Sequence, residues 1–177
     1  MGSFFSPPMK NPGLSLRRAS CPITLASART VGPFSSPISR AMDDVLLNKA
    51  AIIERCLKRV EEEYGGKLSR LRNQTHQDAI VLNIERACQA AIDMAMRLTA
   101  KERLGVPQSS AEGFDLLARA GKIPVDLAER LRAMTGFRNV AVHEYQSLNL
   151  DILREVVESG GADLRRFCRE LGITVKK

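Results

Sequence analysis

From Asp43 to Leu104 the apolar residues recur every three or four positions, and this period commits most of the chain to helices. Val45, Leu46, Ile52, Ile53, Cys56, Leu57 and Val60 mark one face of a first helix, which Gly65-Gly66 closes. Ile80, Ile84, Cys88, Ala91, Ile92, Ala95 and Leu98 mark a second, from about Thr75 to Leu104, with Gly105 and Pro107 as its stop. The alanines of this second helix permit neighbouring helices to approach closely. No stretch reads as a strand and no internal repeat is evident. Trp is absent and aromatics make up only 5% of the residues, so the core is aliphatic. The expected architecture is an all-α antiparallel helical bundle.

The second half carries shorter signals. Ser109-Ser110-Ala111-Glu112 reads as a capping box, in which the Ser109 hydroxyl and the Glu112 carboxylate satisfy each other's free backbone amides. The helix it opens is expected to end at Gly121. Pro124 suits the first turn of another, running through Leu127 and Leu131 to Gly136. Leu150, Leu153, Val156 and Val157 form one more amphipathic stretch, which Gly160-Gly161 interrupts before Leu164, Phe167, Cys168 and Leu171. Both glycine pairs lack the strand-to-helix context of a phosphate loop and read as helix terminators.

The net charge of +7 suggests a nucleic-acid partner until its distribution is considered. Five of the 27 basic residues and none of the 20 acidic ones lie in residues 1–41, leaving 22 against 20 beyond. The body from Met42 to Lys177 is thus nearly neutral, and any affinity for RNA must come from a local patch. Residues 1–41 hold most of the prolines, many serines and little periodicity, so this basic extension is expected to be disordered. It has no secretory apolar stretch, and no run in the chain approaches the ~20 residues that span a membrane. Cys21, Cys56, Cys88 and Cys168 show no close pairing, and the last three sit among core positions. They read as reduced thiols of a cytoplasmic protein rather than as a disulfide or a zinc site, which needs four clustered ligands.

The residues with most chemistry are Arg138-Asn139-Val140-Ala141-Val142-His143-Glu144-Tyr145. Within one continuous helix five residues turn the chain by about 140°, so Arg138 and His143 would point apart. Their convergence requires either a helix end between them or a second copy of the chain. Taken alone, the spacing is common. It fits an ordinary partly buried histidine, a solvated arginine at a helix end and a tyrosine packed at the bundle edge.

The motif has company. Arginine, four residues, histidine, any residue and tyrosine resembles the signature of the HepT-type ribonuclease toxins, small helical nucleases of the HEPN superfamily (DUF86-like). The likeness runs from about Met42 to Leu171 and includes the blocks Asn48–Glu63, Gln77–Ala95 and Leu104–Ser110 in the family's order. It implies a HEPN-type bundle that pairs as a two-fold homodimer, the motifs of both subunits facing each other across a cleft. It also implies an endoribonuclease toxin that needs no metal or other cofactor, with a small nucleotidyltransferase of the MntA type as its antitoxin. In such a site His143 would exchange protons, Arg138 would stabilise charge on the phosphate, and Asn139 would orient one of the partners. Tyr145 would be the residue that the antitoxin adenylylates. The alternative is a non-catalytic member of the same fold, serving as substrate- or nucleotide-binding subunit of a split nucleotidyltransferase.

Given a prokaryotic family, the acid-free extension is read as an over-extended start or a tag, with Met42 the expected beginning. Its Ser/Arg content otherwise mimics an organellar transit peptide. His76 reads as an exposed or capping residue. Arg165, Arg166, Arg169, Lys58 and Arg59 are candidate RNA contacts, although surface cations are more often simply solvated.

Overall fold

The computed structural model describes the backbone of residues 37–143 and 149–173, and the side chains of residues 44–140 and 149–173. Among the described residues seven α-helices follow one another: α1 Pro37–Tyr64, α2 Leu68–Leu71, α3 Gln74–Lys101, α4 Glu112–Arg119, α5 Val125–His143, α6 Leu150–Glu155 and α7 Gly161–Glu170. A π-helical turn, Val156–Gly160, joins α6 to α7. No strand occurs among the described residues. The expected all-α architecture is therefore the observed one.

The long pair α1 and α3 forms the frame. Gly65 and Gly66 take left-handed φ values of +54° and +69°, which reverse the chain after α1 and send α3 back antiparallel to it. Lys49 and Asp93, 2.5 Å apart, join the two helices at one level, and Glu63 and His76, 2.6 Å apart, join them at another. Between these clasps Ile53, Cys56, Leu57 and Val60 meet Ile80, Ile84, Ala87 and Ala91, all buried. His76 is thus a half-buried link to α1, and the cap of α3 is Asn73, whose Oδ1 accepts from the His76 amide at 3.3 Å.

The other helices pack on α3 through its small residues. Gly113 opens α4 so close to α3 that a Cβ there would lie 3.5 Å from that of Ala95. The Phe114 ring of α4 meets Phe167 of α7 edge to face, centroids 5.5 Å apart, and both rings are fully buried. Ion pairs then hold α7 from two sides. Arg165 reaches Glu54 and Glu61 of α1 at 2.9 and 2.8 Å, while Arg166 reaches Asp126 of α5 at 2.6 Å.

Several local expectations change. α1 begins at Pro37, so the first helix crosses the Met42 boundary; residues 1–36 lie outside the described ones. α3 ends at Lys101, before Gly105, in a Schellman closure where the Leu104 amide donates to the Thr99 carbonyl at 2.9 Å. Arg103 supplies the left-handed residue at φ +55°. The capping box is displaced: Ser109 Oγ accepts from the Glu112 amide at 3.2 Å, but the Glu112 carboxylate accepts from Gln108, not Ser109.

Two glycine expectations fail. Gly136 does not end α5, and Gly160-Gly161 does not interrupt the last helical stretch. At Gly160 and Gly161 the backbone stays right-handed, with φ of −62° at both. These two glycines serve close packing: a Cβ at Gly160 would lie 2.8 Å from Met134 Cε, and one at Gly161 3.4 Å from Leu57 Cδ2.

Two stability outcomes follow. Phe167→Ala removes a fully buried ring and should cost about 3–5 kcal/mol in urea unfolding. Arg103→Gly relieves a left-handed side-chain residue and should stabilise by about 1 kcal/mol in the same measurement. A neutral Arg103→Gly would show that this closure carries no strain.

Candidate active site

α5 carries the motif, and its burial pattern explains how. Leu127, Leu131 and Met134 form its inward row, at the four- and three-residue steps of a helix, with Phe137 beside it. Arg138 comes four residues after Met134, on the extension of that row, where α5 reaches the edge of the bundle. Its side chain is consequently half-buried, and its Nε is buried without a hydrogen-bond partner among the described residues. The outer nitrogens lie nearer solvent, where Nη1 approaches Asn139 Oδ1 at 3.5 Å. Such a distance is too long to tie the guanidinium down.

Beneath Arg138 lies Cys88 of α3. Burial pushes this thiol up to about 12, against the opposing pull of the nearby Arg138 charge. The guanidinium lies over an uncharged sulfur, and it has no carboxylate partner among the described residues. This contrasts with Arg59, Arg130, Arg154, Arg165 and Arg166, each of which has one.

Asn139 is exposed on the outer side of α5, above a shallow cleft of about 580 Å³ that Glu129, Arg132 and Gly136 also line. α5 continues without a break to His143. The helix end that would have let Arg138 and His143 converge within one chain is therefore absent. Position 143 lies about 140° round the axis from position 138 but about 40° from position 139. The side chain of His143, and Tyr145 entirely, lie outside the described residues.

The other cations singled out in the sequence divide. Arg59, Arg165 and Arg166 are held in ion pairs with Glu63, Glu54 and Asp126. Lys58 and Arg169 are exposed and have no such partner among the described residues. The sequence reading missed Arg55 and Arg86, which stand beside Lys58 along a groove between α1 and α3. No periodicity flags them, because each is simply an exposed helix position.

Arg138, Asn139 and His143 stand on the fifth helix of an all-helical bundle, and the comparisons give the class of protein as a small helical nuclease. The chain belongs to the family described as Ribonuclease HepT-like, which residues 53–171 match. It is 43% identical over 126 residues to the mRNA nuclease HepT of Shewanella oneidensis, covering 71% of this chain and 95% of that protein. A putative RNase of Archaeoglobus fulgidus is 24% identical over 127 residues, covering 70% and 96%. Among solved structures, a tri-AMPylated Shewanella oneidensis HEPN toxin in complex with MNT antitoxin superposes with a TM-score of 0.69 at 42% identity. That match covers 73% of this chain and 97% of the toxin. A toxin–antitoxin structure with AMP-PNP gives 0.69 at 41%, covering 72% and 98%. The HEPN-type fold and the ribonuclease family are thus established, and with them the nuclease is preferred to the nucleotidyltransferase subunit. No helix of the described residues is long and apolar enough to cross a membrane.

The burial of the thiols has a direct test. Cys56, Cys88 and Cys168 are buried, and each thiol is raised above its ordinary value by that burial. In a Cys21→Ser background none should react with an alkylating reagent at pH 8 until the protein unfolds. Rapid labelling of Cys88 in the native protein, located by peptide mass mapping, would show that α3 opens beneath Arg138.

Proposed function

We propose that the protein is an endoribonuclease toxin whose active site forms between two copies of α5. The observation that carries this reading is the unbroken helix from Arg138 to His143, which holds the two positions on different sides of one axis. Two-fold pairing would bring Arg138 of one subunit towards His143 of the other. The surface supports pairing. Leu68, Leu82, Val140, Leu150 and Ile152 are exposed on α2, α3, α5 and α6, at the end of the bundle towards which α5 runs.

The chemistry follows from the residue types. The RNA 2′-oxygen attacks the adjacent phosphorus as its proton passes to a base, and the bond to the 5′-oxygen breaks as that oxygen receives a proton. The products are a 2′,3′-cyclic phosphate and a free 5′-hydroxyl. His143 is the proton-transfer group, suited to it near neutral pH. Arg138 offers its unpaired guanidinium to the oxygens of the pentacovalent phosphate, and Asn139 orients the phosphate or the histidine. The step needs no metal. Among the described residues no three His, Cys, Asp or Glu side chains are placed to hold one.

Tyr145 is the control point in this reading. The solved relatives include an AMPylated toxin bound to its antitoxin, and we assign the modification here to the tyrosine two residues after His143. An added AMP brings a phosphodiester charge that competes with RNA for Arg138. A nucleotidyltransferase of the MNT type is the corresponding partner, and the complex is assigned to the cytoplasm.

Expression without the partner should slow bacterial growth, and Arg138→Ala or His143→Ala should each relieve it with the helical circular dichroism unchanged. The purified protein should cut RNA in excess EDTA and leave cyclic or 3′-phosphate ends; loss of cutting that magnesium restores would reveal a metal site. Equal toxicity of wild type and both variants would remove the assignment of these residues. Tyr145→Phe should stay active yet gain no AMP, a mass of about 329 Da by intact-mass spectrometry, when co-expressed with the partner. Full neutralisation of that variant without a mass change would move control to simple complex formation.

A further inference from the structure

The groove between α1 and α3 has a volume of about 600 Å³ and is lined by five cations and two carboxylates. Two of the cations are neutralised within it. Lys49 lies 2.5 Å from Asp93, and Arg59 lies 3.3 Å from Glu62 and 2.7 Å from Glu63 just outside the groove. Arg55, Lys58 and Arg86 remain, all exposed and without a carboxylate partner among the described residues. In a body with nearly balanced charge, three unpaired cations converging from two helices form a local positive site.

Its place relative to the motif gives the site meaning. The antiparallel clasps set residue 86 level with residues 55 and 56, and both Arg55 and Arg86 act on the Cys56 thiol. Arg138 acts on Cys88, two residues further along α3. Arg138, Arg86 and the pair Arg55 and Lys58 thus sit at one height on α5, α3 and α1 in turn. Positions 86 and 88 are about 160° apart round α3, so a strand reaching both passes over the outer face of that helix. Half-buried Ile52 and buried Ala90 give the groove an apolar floor between the charges, a surface that suits an unpaired base.

We propose that this groove is a backbone-binding subsite for single-stranded RNA, with Arg55, Lys58 and Arg86 holding phosphates several nucleotides from the scissile one. It is a binding and positioning site, and none of the three touches the reacting atoms. The inference rests on RNA being the substrate, and it adds where the strand lies outside the catalytic pair.

The test separates binding from cutting. A fluorescent 20-nucleotide 2′-O-methyl oligouridine lacks the attacking hydroxyl, so anisotropy reads binding alone. Replacing Arg55, Lys58 and Arg86 together with Gln should weaken it about tenfold near physiological salt. The slope of log affinity against log salt should become shallower by about 2, at about 0.7 for each phosphate no longer neutralised. Replacing exposed Lys67, Arg72 and Arg119 with Gln removes equal charge and should change neither. With unmodified RNA, the groove variant should raise KM for a 20-mer about tenfold and leave cleavage of a dinucleotide unchanged, since a dinucleotide is too short to reach the groove. The inference is overturned if the groove variant binds like wild type or if the control variant loses as much. It is equally overturned if the groove variant keeps RNA binding but loses self-association or partner binding, which would make this face a protein-docking surface. A wild type that binds the oligonucleotide through the groove yet cuts no RNA would sink the nuclease reading and leave the groove standing. Cutting that ignores the groove would sink the groove alone.

Discussion

The small side chains of α3 are the constraint on which the rest of this bundle depends. Ala87, Ala90, Ala91 and Ala95 are buried on different sides of one helix, and α1, α4, α5 and α7 all pack against it. Alanine forfeits contact area but lets backbones approach, and it costs no side-chain entropy on burial. The larger residues between them, Ile80, Ile84, Ile92 and Met94, fill the spaces that this approach leaves. Enlarging any of these alanines would push a neighbouring helix outward, and α5, with the motif at its far end, would move with it.

Charge on the described surface is divided between two uses. Most arginines that face another helix are matched to a carboxylate on it, as Arg165 is to Glu54 and Arg166 to Asp126. These exposed pairs contribute little energy each, but they fix how α7 lies across α1 and α5. Arg138 is different. It is half-buried over an uncharged thiol, and among the described residues its Nε has no hydrogen-bond partner and no carboxylate lies beside it. A protein that needed this residue only for packing would gain by pairing it; an unpaired cation held at the edge of a bundle is ready for an anion from outside.

Period and punctuation made the frame legible in the sequence. The faces of α1 and α3, the reversal at Gly65-Gly66, the end of α4 at Gly121 and the start of the following helix near Pro124 are all local signals, and local physics settles them. Gly136 and Gly160-Gly161 misled because glycine does not always mark a backbone that must turn left: Gly136 stands in open space within α5, and Gly160-Gly161 lies where other helices approach. At Gly160 and Gly161 only the neighbours Met134 and Leu57 reveal that approach, and both are distant in sequence from the glycines they meet. The motif itself was found through family likeness, since five-residue spacing is too common to carry it. Arg55 and Arg86 were invisible for a related reason. They lie 31 positions apart and meet only because α3 returns alongside α1.

The continuity of α5 has a consequence for dosage. In the proposed arrangement, a site assembled from Arg138 on one α5 and His143 on another would contain one half from each molecule, and a lone chain would hold two incomplete halves. The amount of complete enzyme then rises with the square of protein concentration until pairing saturates. Basal leakage of such a gene would do little harm, while a few-fold rise in copies per cell would cross a sharp threshold, visible as specific activity that falls on dilution. Under the proposed pairing, a helix that does not break where its motif would converge would make the protein a counter of its own abundance.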